Sequence, residues 1–235
     1  MMYGFDPVYF LFVGPAMLLA MWASFRTKSA FNRYSQVPSS GNVTGAQAAQ
    51  LLLDRAGIRD VKVIPTQGML SDHYNPVNKT LALSEGVYAS RSVAAVGVAC
   101  HEAGHAIQHA RSYGPLWLRS ALVPTVGIGS NLGLIVMGIG LMMQRPGIVG
   151  FGAILFSAVL AFQLVTLPVE FDASSRAKKL IKEYGLVGPR ETEGVDRVLN
   201  AAALTYIAAA VSTLLTLLYY LFRAGLLGGR SNEER

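Results

Sequence analysis

The sequence predicts a mainly α-helical membrane protein with about four transmembrane helices and a small α+β unit. Of its 235 residues, 52% are hydrophobic and only 14% are charged, whereas a soluble domain carries about 25% charged residues. Four apolar stretches reach the roughly 17–25 residues of a spanning helix. They are residues 5–25, 116–143, 147–168 and 202–222. A large soluble core of buried helices is disfavoured, because too little polar sequence remains to cover them.

The stretch 116–143 has the weakest transmembrane signal of the four. It contains Arg119, Pro124 and Asn131, and a proline inside a helix removes a backbone hydrogen bond and kinks the helix. We therefore expect this span to be kinked.

The distribution of positive charge predicts the orientation of the chain in the cell membrane. Most of the 20 Lys and Arg residues lie in the segments 26–111 and 169–200, and positive residues near span ends favour the cytoplasmic side. Both segments are therefore predicted to be cytoplasmic and both termini outside. An even number of spans requires the termini to share a side, so the charge count and the span count agree. The net charge of +6 thus indicates membrane topology, and no nucleic-acid partner is expected.

The first apolar stretch is predicted to stay in the membrane as an anchor. It has no basic residue before it and is followed by Arg26, Lys28 and Arg33, the reverse of a cleavable secretory signal. The resulting division of the chain has five parts. They are an anchor (1–25), a cytoplasmic α+β segment (26–115), a two-span hairpin (116–168), a cytoplasmic helical segment (169–200), and a last span with its tail (201–235).

Local signals place short elements in the α+β segment. Thr44 and Gln47 form a capping box that predicts a helix over 45–56, with Gly57 as its C-terminal stop. The runs VKVI (61–64) and TLAL (80–83) read as strands, with Ser84 as a helix cap after the second. One helix is expected from about Ser92 to near Gly114-Pro115.

The run CHEAGHAIQHA, residues 100–110, carries the chemistry of this helix. His101 and His105 are four residues apart, so both imidazoles lie on one helix face and can share a metal ion. In an H-E-x-x-H arrangement Glu102 reaches a metal-bound water and acts as its general base. The single cysteine, Cys100, cannot form an internal disulfide and is expected to pack as a small residue.

His109 extends the histidine row but does not fit the same ion. Along a helix it lies about 12 Å from His101, too far for two Zn–N bonds of about 2.0–2.1 Å. The metzincin continuation is also absent, since Gln108 and Arg111 stand where it has glycine and histidine. We expect His109 to lie at the helix end or to support the site without binding metal.

The third metal ligand must lie on the same side of the membrane as His101 and His105. His73 and Glu85 are candidates from the preceding segment, and Glu170 is a candidate from the run PVEFDASSRA. Two spans separate Glu170 from the histidines, and a two-span hairpin returns the chain to the side that it left. Topology therefore allows Glu170 to meet the histidines despite the distance in sequence.

The two halves of this motif resemble those of membrane gluzincin metalloproteases. In the heat-shock and prenyl-protein (CAAX) membrane proteases the second motif is E-[YF]-x-A-D-x-x-A, and residues 170–177 are similar to it. LSDHY (70–74), LALS (81–84) and VACHEAGHAIQ (98–108) are closer still to the bacterial neutral zinc metallopeptidase family of membrane proteins. This resemblance implies a gluzincin-like unit with His101, His105 and Glu170 as Zn²⁺ ligands and Glu102 as the general base.

The resemblance also has implications for substrate binding, and at Ser174 the sequence departs from the motif. TLAL would be the edge strand to which an extended substrate adds. Ser174 stands where the related proteases have an Asp that supports a zinc histidine, so the supporting group is open, with Asp172 as a second possibility. His73 and Tyr74 are either turn residues or stabilisers of an oxyanion.

The function expected is a zinc endopeptidase that cleaves membrane or membrane-proximal proteins at the cytoplasmic face. No L-D-G motif of intramembrane site-2 proteases occurs. The alternatives are a non-catalytic scaffold braced by zinc, a protease held latent by a regulatory partner, and a channel. An intact Glu102 speaks against the scaffold, and the near absence of ionisable residues in the spans speaks against the channel. Substrate identity and oligomeric state are left open.

Overall fold

The computed structural model describes residues 6–227 of the chain. The start of the first predicted span, at residue 5, and the end of the C-terminal tail lie outside these residues. The seven helices and three strands of the described chain are α1 (Pro7–Ser35), α2 (Gly45–Arg55), β1 (Lys62–Thr66), β2 (His73–Asn75), β3 (Thr80–Ser84), α3 (Glu85–Tyr88), α4 (Val93–Ala110), α5 (Gly114–Met142), α6 (Pro146–Glu183) and α7 (Thr192–Arg223).

Helix α2 begins and ends where the sequence predicted. The Thr44 side chain accepts a hydrogen bond from the Gln47 backbone, and the Gln47 side chain accepts one from the Thr44 backbone. This reciprocal pair satisfies two of the amide groups that a helix start leaves without partners. Gly57 follows the helix with φ of 76°, a left-handed conformation that glycine adopts without a steric cost. The predicted capping box and stop are both confirmed.

Helix α4 begins at its predicted cap but ends earlier than expected. The Ser92 side chain accepts a hydrogen bond from the amide of Ala95, as an N-cap does. The helix ends at Ala110 because Ser112 adopts φ of 52° and turns the chain. Gly114 then starts α5, so the predicted end near Gly114-Pro115 is wrong. Pro115 fits there because the amides of the first helical turn make no hydrogen bond within the helix, so the N–H that proline lacks is not needed.

The three strands form one small sheet in the order β1-β3-β2. Strand β3 pairs in parallel with β1 and antiparallel with β2. The expectation that TLAL is an edge strand is therefore wrong, because β3 lies in the centre. The edge next to it is β2, whose three residues are too few to show an alternating pattern in the sequence.

The chain divides into two compact units, and the unit with the histidine helix holds the sheet. It comprises Ala23–Trp117 and Leu167–Thr205. Its core packs α2 against α4, with Leu52, Leu81 and Val96 fully buried. Burying a side chain of this kind stabilises a fold by about 1.5–3 kcal/mol, so α4 is fixed along most of its length.

The other unit contains the described residues of Met1–Trp22, Leu118–Thr166 and Tyr206–Arg235. Three helices of the described chain are long and apolar enough to cross a membrane: α1, α6 and α7. Helix α5 consists of two parts, Gly114–Gly127 and Gly129–Met142, with an angle of 44° between them. It is a fourth candidate span if the two parts are counted as one. The predicted kink is confirmed, but it lies between Gly127 and Gly129, four residues after Pro124, whereas a proline disturbs the turn before it. The mainly helical fold with a small sheet is confirmed, and its three long apolar helices agree with the predicted membrane protein. The exact number of spans stays a prediction.

Helix α6 is longer than the span predicted within it. It runs through Pro168 without ending and continues to Glu183. The apolar stretch 147–168 and the segment predicted to supply a third ligand are therefore parts of one helix. Glu170 therefore lies within a helix, two residues after Pro168.

Candidate metal centre

Two histidines of α4 and one glutamate of α6 meet at a single buried point. The Nε2 atoms of His101 and His105 lie 3.3 Å and 3.5 Å from Oε2 of Glu170. One donor atom from each of the three residues lies within 4.8 Å of the other two. The structure therefore brings together the three residues predicted from the motif halves, and the group could hold a metal ion.

A glycine between the two histidines allows α6 to approach α4 this closely. A Cβ atom added to Gly104 would lie 2.7 Å from the backbone oxygen of Ala173 and 3.2 Å from its Cα. Both contacts are to backbone, which cannot move aside as a flexible side chain can. Gly104 thus sets the helix separation at which Glu170 reaches His101 and His105.

Gln108 fixes the orientation of His105. The Gln108 side chain is fully buried, and its Nε2 donates to the Val169 backbone oxygen and to Oδ2 of Asp172, both at 2.8 Å. Because Nε2 faces two acceptors, Oε1 is the atom that faces Nδ1 of His105, at 3.0 Å. Oε1 can only accept, so His105 donates from Nδ1 and a neutral His105 keeps a lone pair on Nε2. That lone pair points into the metal group.

Asp172 and Arg176 extend this hydrogen-bond network away from the three candidate ligands, His101, His105 and Glu170. Nε of Arg176 donates to Oδ2 of Asp172 at 2.5 Å, and the Arg176 guanidinium lies 5.8 Å from the centre of the Tyr113 ring. Asp172, one of two candidates for direct support of a histidine, instead accepts from the Gln108 amide and from Arg176. It supports His105 through Gln108.

Ser174 supports the other histidine. Its hydroxyl oxygen lies 3.1 Å from Nδ1 of His101, and the Ser174 side chain is buried. The serine therefore contacts the His101 imidazole from the position at which the motif E-[YF]-x-A-D-x-x-A has aspartate. The departure from the motif leaves the contact in place.

The buried carboxylate at the centre of the group favours a positive charge. Glu170 is 2% exposed, and its Oε2 has no hydrogen-bond partner of good geometry in the described part of the chain. Burial lowers the pKa of the His105 imidazole, but Glu170, Glu102 and the hydrogen bond to Gln108 together outweigh burial and raise this pKa above its usual value. The negative charges of Glu170 and Glu102 thus create a potential that attracts a cation to Nε2 of His105.

Glu102 lies beside the metal group but takes no part in it. It is 9% exposed, and within residues 6–227 no hydrogen bond or ion pair engages its carboxylate. Its charge acts on His105 through space. A carboxylate without a partner next to a possible metal site is available to accept a proton.

The other residues considered for the metal site lie outside the group of His101, His105 and Glu170. His73 is exposed and its Nδ1 faces the Ser71 backbone oxygen at 2.9 Å, while Glu85 is exposed in the first turn of α3. Nδ1 of His109 lies 2.8 Å from the Tyr74 hydroxyl. None of His73, Glu85 and His109 belongs to the group that could hold a metal.

Cys100, next to His101, is fully buried in the core. Burial raises the pKa of its thiol well above the usual range, so the thiol stays protonated. Its surroundings agree with the packing role expected from the sequence.

Gln108 is the residue of this site that the sequence analysis missed as a functional group. Its position three residues after His105 places it on nearly the same helix face. That spacing is the only signal in the sequence, because the acceptors that orient the amide belong to α6.

Comparisons with known proteins agree with this geometry. No solved structure matches the chain. A curated relative from Bacillus subtilis (strain 168), named "Putative membrane protease YugP", is 47% identical over 212 residues, which cover 90% of this chain and 94% of the relative. The family model described as "Putative neutral zinc metallopeptidase" matches residues 9–225. The resemblance seen in the sequence is thereby confirmed, and the chain belongs to this neutral zinc metallopeptidase family.

Proposed function

We propose that the protein is a membrane-integral zinc endopeptidase with His101, His105 and Glu170 as zinc ligands and Glu102 as the general base. The observation that carries the proposal is the convergence of two imidazole Nε2 atoms on one buried carboxylate oxygen. Membership of the zinc metallopeptidase family supports zinc as the metal.

The donor atoms fit a zinc ion in number and type, and the two distances from Oε2 of Glu170 to the histidine Nε2 atoms fit it in spacing. A tetrahedral ion with bonds of about 2.0–2.1 Å keeps its ligand atoms about 3.3–3.4 Å apart, close to the 3.3 Å and 3.5 Å between the Nε2 atoms and Oε2 of Glu170. With Nδ1 of His105 donating to Gln108, the Nε2 lone pair and the carboxylate repel each other unless a cation lies between them. Three protein ligands with one open position are typical of catalytic zinc sites.

The residues of the chain then divide the work of hydrolysis. A bound zinc ion supplies Lewis-acid activation of water and of a peptide carbonyl. Glu102 accepts the proton of the attacking water and delivers it to the nitrogen of the leaving amine as the C–N bond breaks. Gln108 and Ser174 hold His105 and His101 in place, and outer partners of this kind support affinity and activity in metal sites.

An extended peptide is the substrate that the sheet suits. Strand β2 is an edge strand and packs against α4, and exposed strand edges bind peptides by adding a strand. His73–Asn75 replaces TLAL in this role. A partner that controls access of the substrate is compatible with the same arrangement.

We propose that the reaction takes place at the cytoplasmic face of the cell membrane. Lys and Arg concentrate in 26–111 and 169–200, and positive residues near spans favour the cytoplasmic side. If the bent α5 is one of four spans, both termini share a side, which the charge distribution assigns to the outside, and Glu170 returns to the side of the histidines. The charge distribution and the motif halves support the same topology.

The function is tested by comparing peptide N-termini in cells that make the wild-type protein or Glu102→Gln at matched levels. We expect a set of new N-termini with the wild type alone, on membrane or membrane-proximal proteins and in their cytoplasmic segments. Identical sets from two zinc-loaded proteins would contradict proteolysis and favour a scaffold. New N-termini confined to extracytoplasmic segments would overturn the proposed orientation.

A further inference from the structure

A cavity of about 280 Å³ opens between α2, α4 and α6 on the unit that carries the metal centre. We call it the basic cavity, because four cationic side chains line it and Glu183 is the only acidic residue among its lining residues. The four cations are Arg55, Arg111, Arg176 and Lys179. No step of peptide hydrolysis uses this cavity.

Two of the four cations are held in position by aromatic rings. The Arg55 guanidinium lies 5.5 Å from the centre of the Tyr184 ring, and that of Arg176 lies 5.8 Å from the centre of the Tyr113 ring. Cation–π contacts of this kind restrict a side chain without neutralising its charge. A ligand therefore meets charges that already have a defined position.

The positive charge of the cavity is not balanced by acidic partners. Across residues 6–227 no ion pair joins Arg55, Arg111 or Lys179 to a carboxylate, while Arg176 pairs with Asp172. Arg55 lies in the last turn of α2 and Arg111 caps α4, and each helix end contributes about half a negative charge. Helix α6 also ends at the cavity, at Glu183. After Glu183, Asp172 and all three helix ends are counted, the wall keeps a net positive charge of about half a unit.

The floor of the cavity is apolar. Leu52 is fully buried and Ile107 is 2% exposed, and both line the cavity with Leu180. Apolar walls exclude water and strengthen the attraction between the rim charges and an anion. The cavity thus combines a charged rim with an apolar base.

We propose that the basic cavity binds the phosphate group of an anionic ligand. A phosphate carries about two negative charges and three acceptor oxygens, so it can use several of the four cations, whereas a carboxylate is satisfied by one arginine. Arginine forks match phosphate geometry in particular. The phosphate belongs either to a phospholipid headgroup or to a soluble phosphate compound.

This site is separate from the metal centre but shares one residue with its support. Arg176 lines the cavity and holds Asp172, and Asp172 accepts from the Gln108 amide that orients His105. A phosphate bound at Arg176 therefore contacts the hydrogen-bond network of the metal centre directly.

The test uses the full-length, metal-loaded protein and two double variants of equal charge. Arg111→Ala with Lys179→Ala removes two lining cations. Lys182→Ala with Arg190→Ala removes two exposed cations that do not line the cavity and serves as the control. Binding of inorganic phosphate is measured by calorimetry in detergent, and retention of phosphatidylglycerol against phosphatidylcholine is measured by native mass spectrometry.

We expect the wild type to bind at least one probe, the lining variant to bind about tenfold more weakly or worse, and the control to stay within twofold of the wild type. Selective retention of phosphatidylglycerol that is lost in the lining variant identifies a lipid headgroup. Phosphate binding without lipid retention identifies a soluble ligand. The proposal is overturned if the wild type binds neither probe, if the lining variant binds as well as the wild type, or if the control loses as much. Phosphate held by the metal ion would persist in the lining variant.

Discussion

Oε1 of Gln108 lies 3.0 Å from Nδ1 of His105, and the amide that carries this oxygen is itself fixed by two acceptors of α6. The histidine proton is thereby placed on Nδ1, and Nε2 is left to face Glu170. Acceptors on α6 thus orient the Gln108 amide, and Gln108 in turn selects the His105 tautomer that leaves Nε2 free to bind zinc.

Gln108→Ala should lower zinc affinity about 10–100-fold, because supporting partners of metal histidines contribute that much. It should also shift the absorption spectrum of the cobalt-substituted protein, since His105 loses its fixed orientation. Cys100→Ala on the same helix is the control and should leave affinity and spectrum unchanged despite a small loss of stability. An unchanged cobalt spectrum in Gln108→Ala would show that Gln108 does not orient the ligand.

Glu170→Ala should lose bound zinc, with affinity reduced at least about 100-fold, because even supporting residues contribute 10–100-fold. His73→Ala and Glu85→Ala should keep one zinc per chain, since both side chains are exposed and outside the group. Metal content is measured after dialysis against a defined concentration of free zinc. Full zinc in Glu170→Ala, or its loss in either comparison variant, would mean that the third ligand has been misassigned.

Gly104→Ala should destabilise the fold by about 1–3 kcal/mol, as forced contacts in a packed interior do, and should weaken zinc binding. The added methyl carbon would lie 2.7 Å from the backbone oxygen of Ala173 and push α6 away from α4. Gly97→Ala on the same helix is the matched control, because its added carbon meets Val195 at an ordinary 3.5 Å.

Gly97→Ala should be neutral or stabilise the helix by up to about 1 kcal/mol. Unfolding in detergent and zinc content are measured together for both variants. Equal stability and equal zinc content in the two would contradict the role assigned to Gly104.

Glu191→Gln should lower the melting temperature at pH 7 and lose this effect in acid. The Glu191 carboxylate accepts hydrogen bonds from the Ser40 amide and hydroxyl and from the Gly188 amide. Burial raises the pKa of this carboxyl, but these bonds outweigh burial and hold it below its usual value of 4.5.

A lowered pKa in the folded state means that the contribution is complete above about pH 4.5 and is lost as the pH falls through the folded-state value. Because Glu191 is only partly buried and solvent screens its interactions, the effect at pH 7 should be about 1 kcal/mol or less. Melting curves of both proteins between pH 3 and pH 7 should therefore converge in acid. A constant difference across this range would contradict the assignment.

The elements that follow from local chemistry could be predicted, and those that depend on tertiary pairing could not. Thr44, Gln47 and Ser92 cap helices through neighbours in sequence, so their effect can be read from the chain. Strand β2 has three residues and exists only because β3 pairs with it. Its presence places β3 in the centre of the sheet, which no pattern in TLAL reveals.

The same division holds at the metal centre. His101 and His105 follow from helical spacing, and Glu170 follows from a motif whose halves are separated by a hairpin. The contacts of Gln108 and Ser174 with these histidines depend on how closely α6 approaches α4. Gly104 sets that distance, and a lone glycine in a helical sequence does not state which helix it contacts.

The most direct test of the central claim is peptide hydrolysis by the purified full-length protein, with metal content measured on the same samples. The wild type and Glu102→Gln should each bind one zinc ion. The wild type should hydrolyse an unfolded protein substrate, and Glu102→Gln should do so at least about 100-fold more slowly, because a general base contributes that much or more. Chelation should abolish the wild-type activity and zinc should restore it. Hydrolysis that persists in zinc-loaded Glu102→Gln or after the metal is removed would contradict the proposed mechanism.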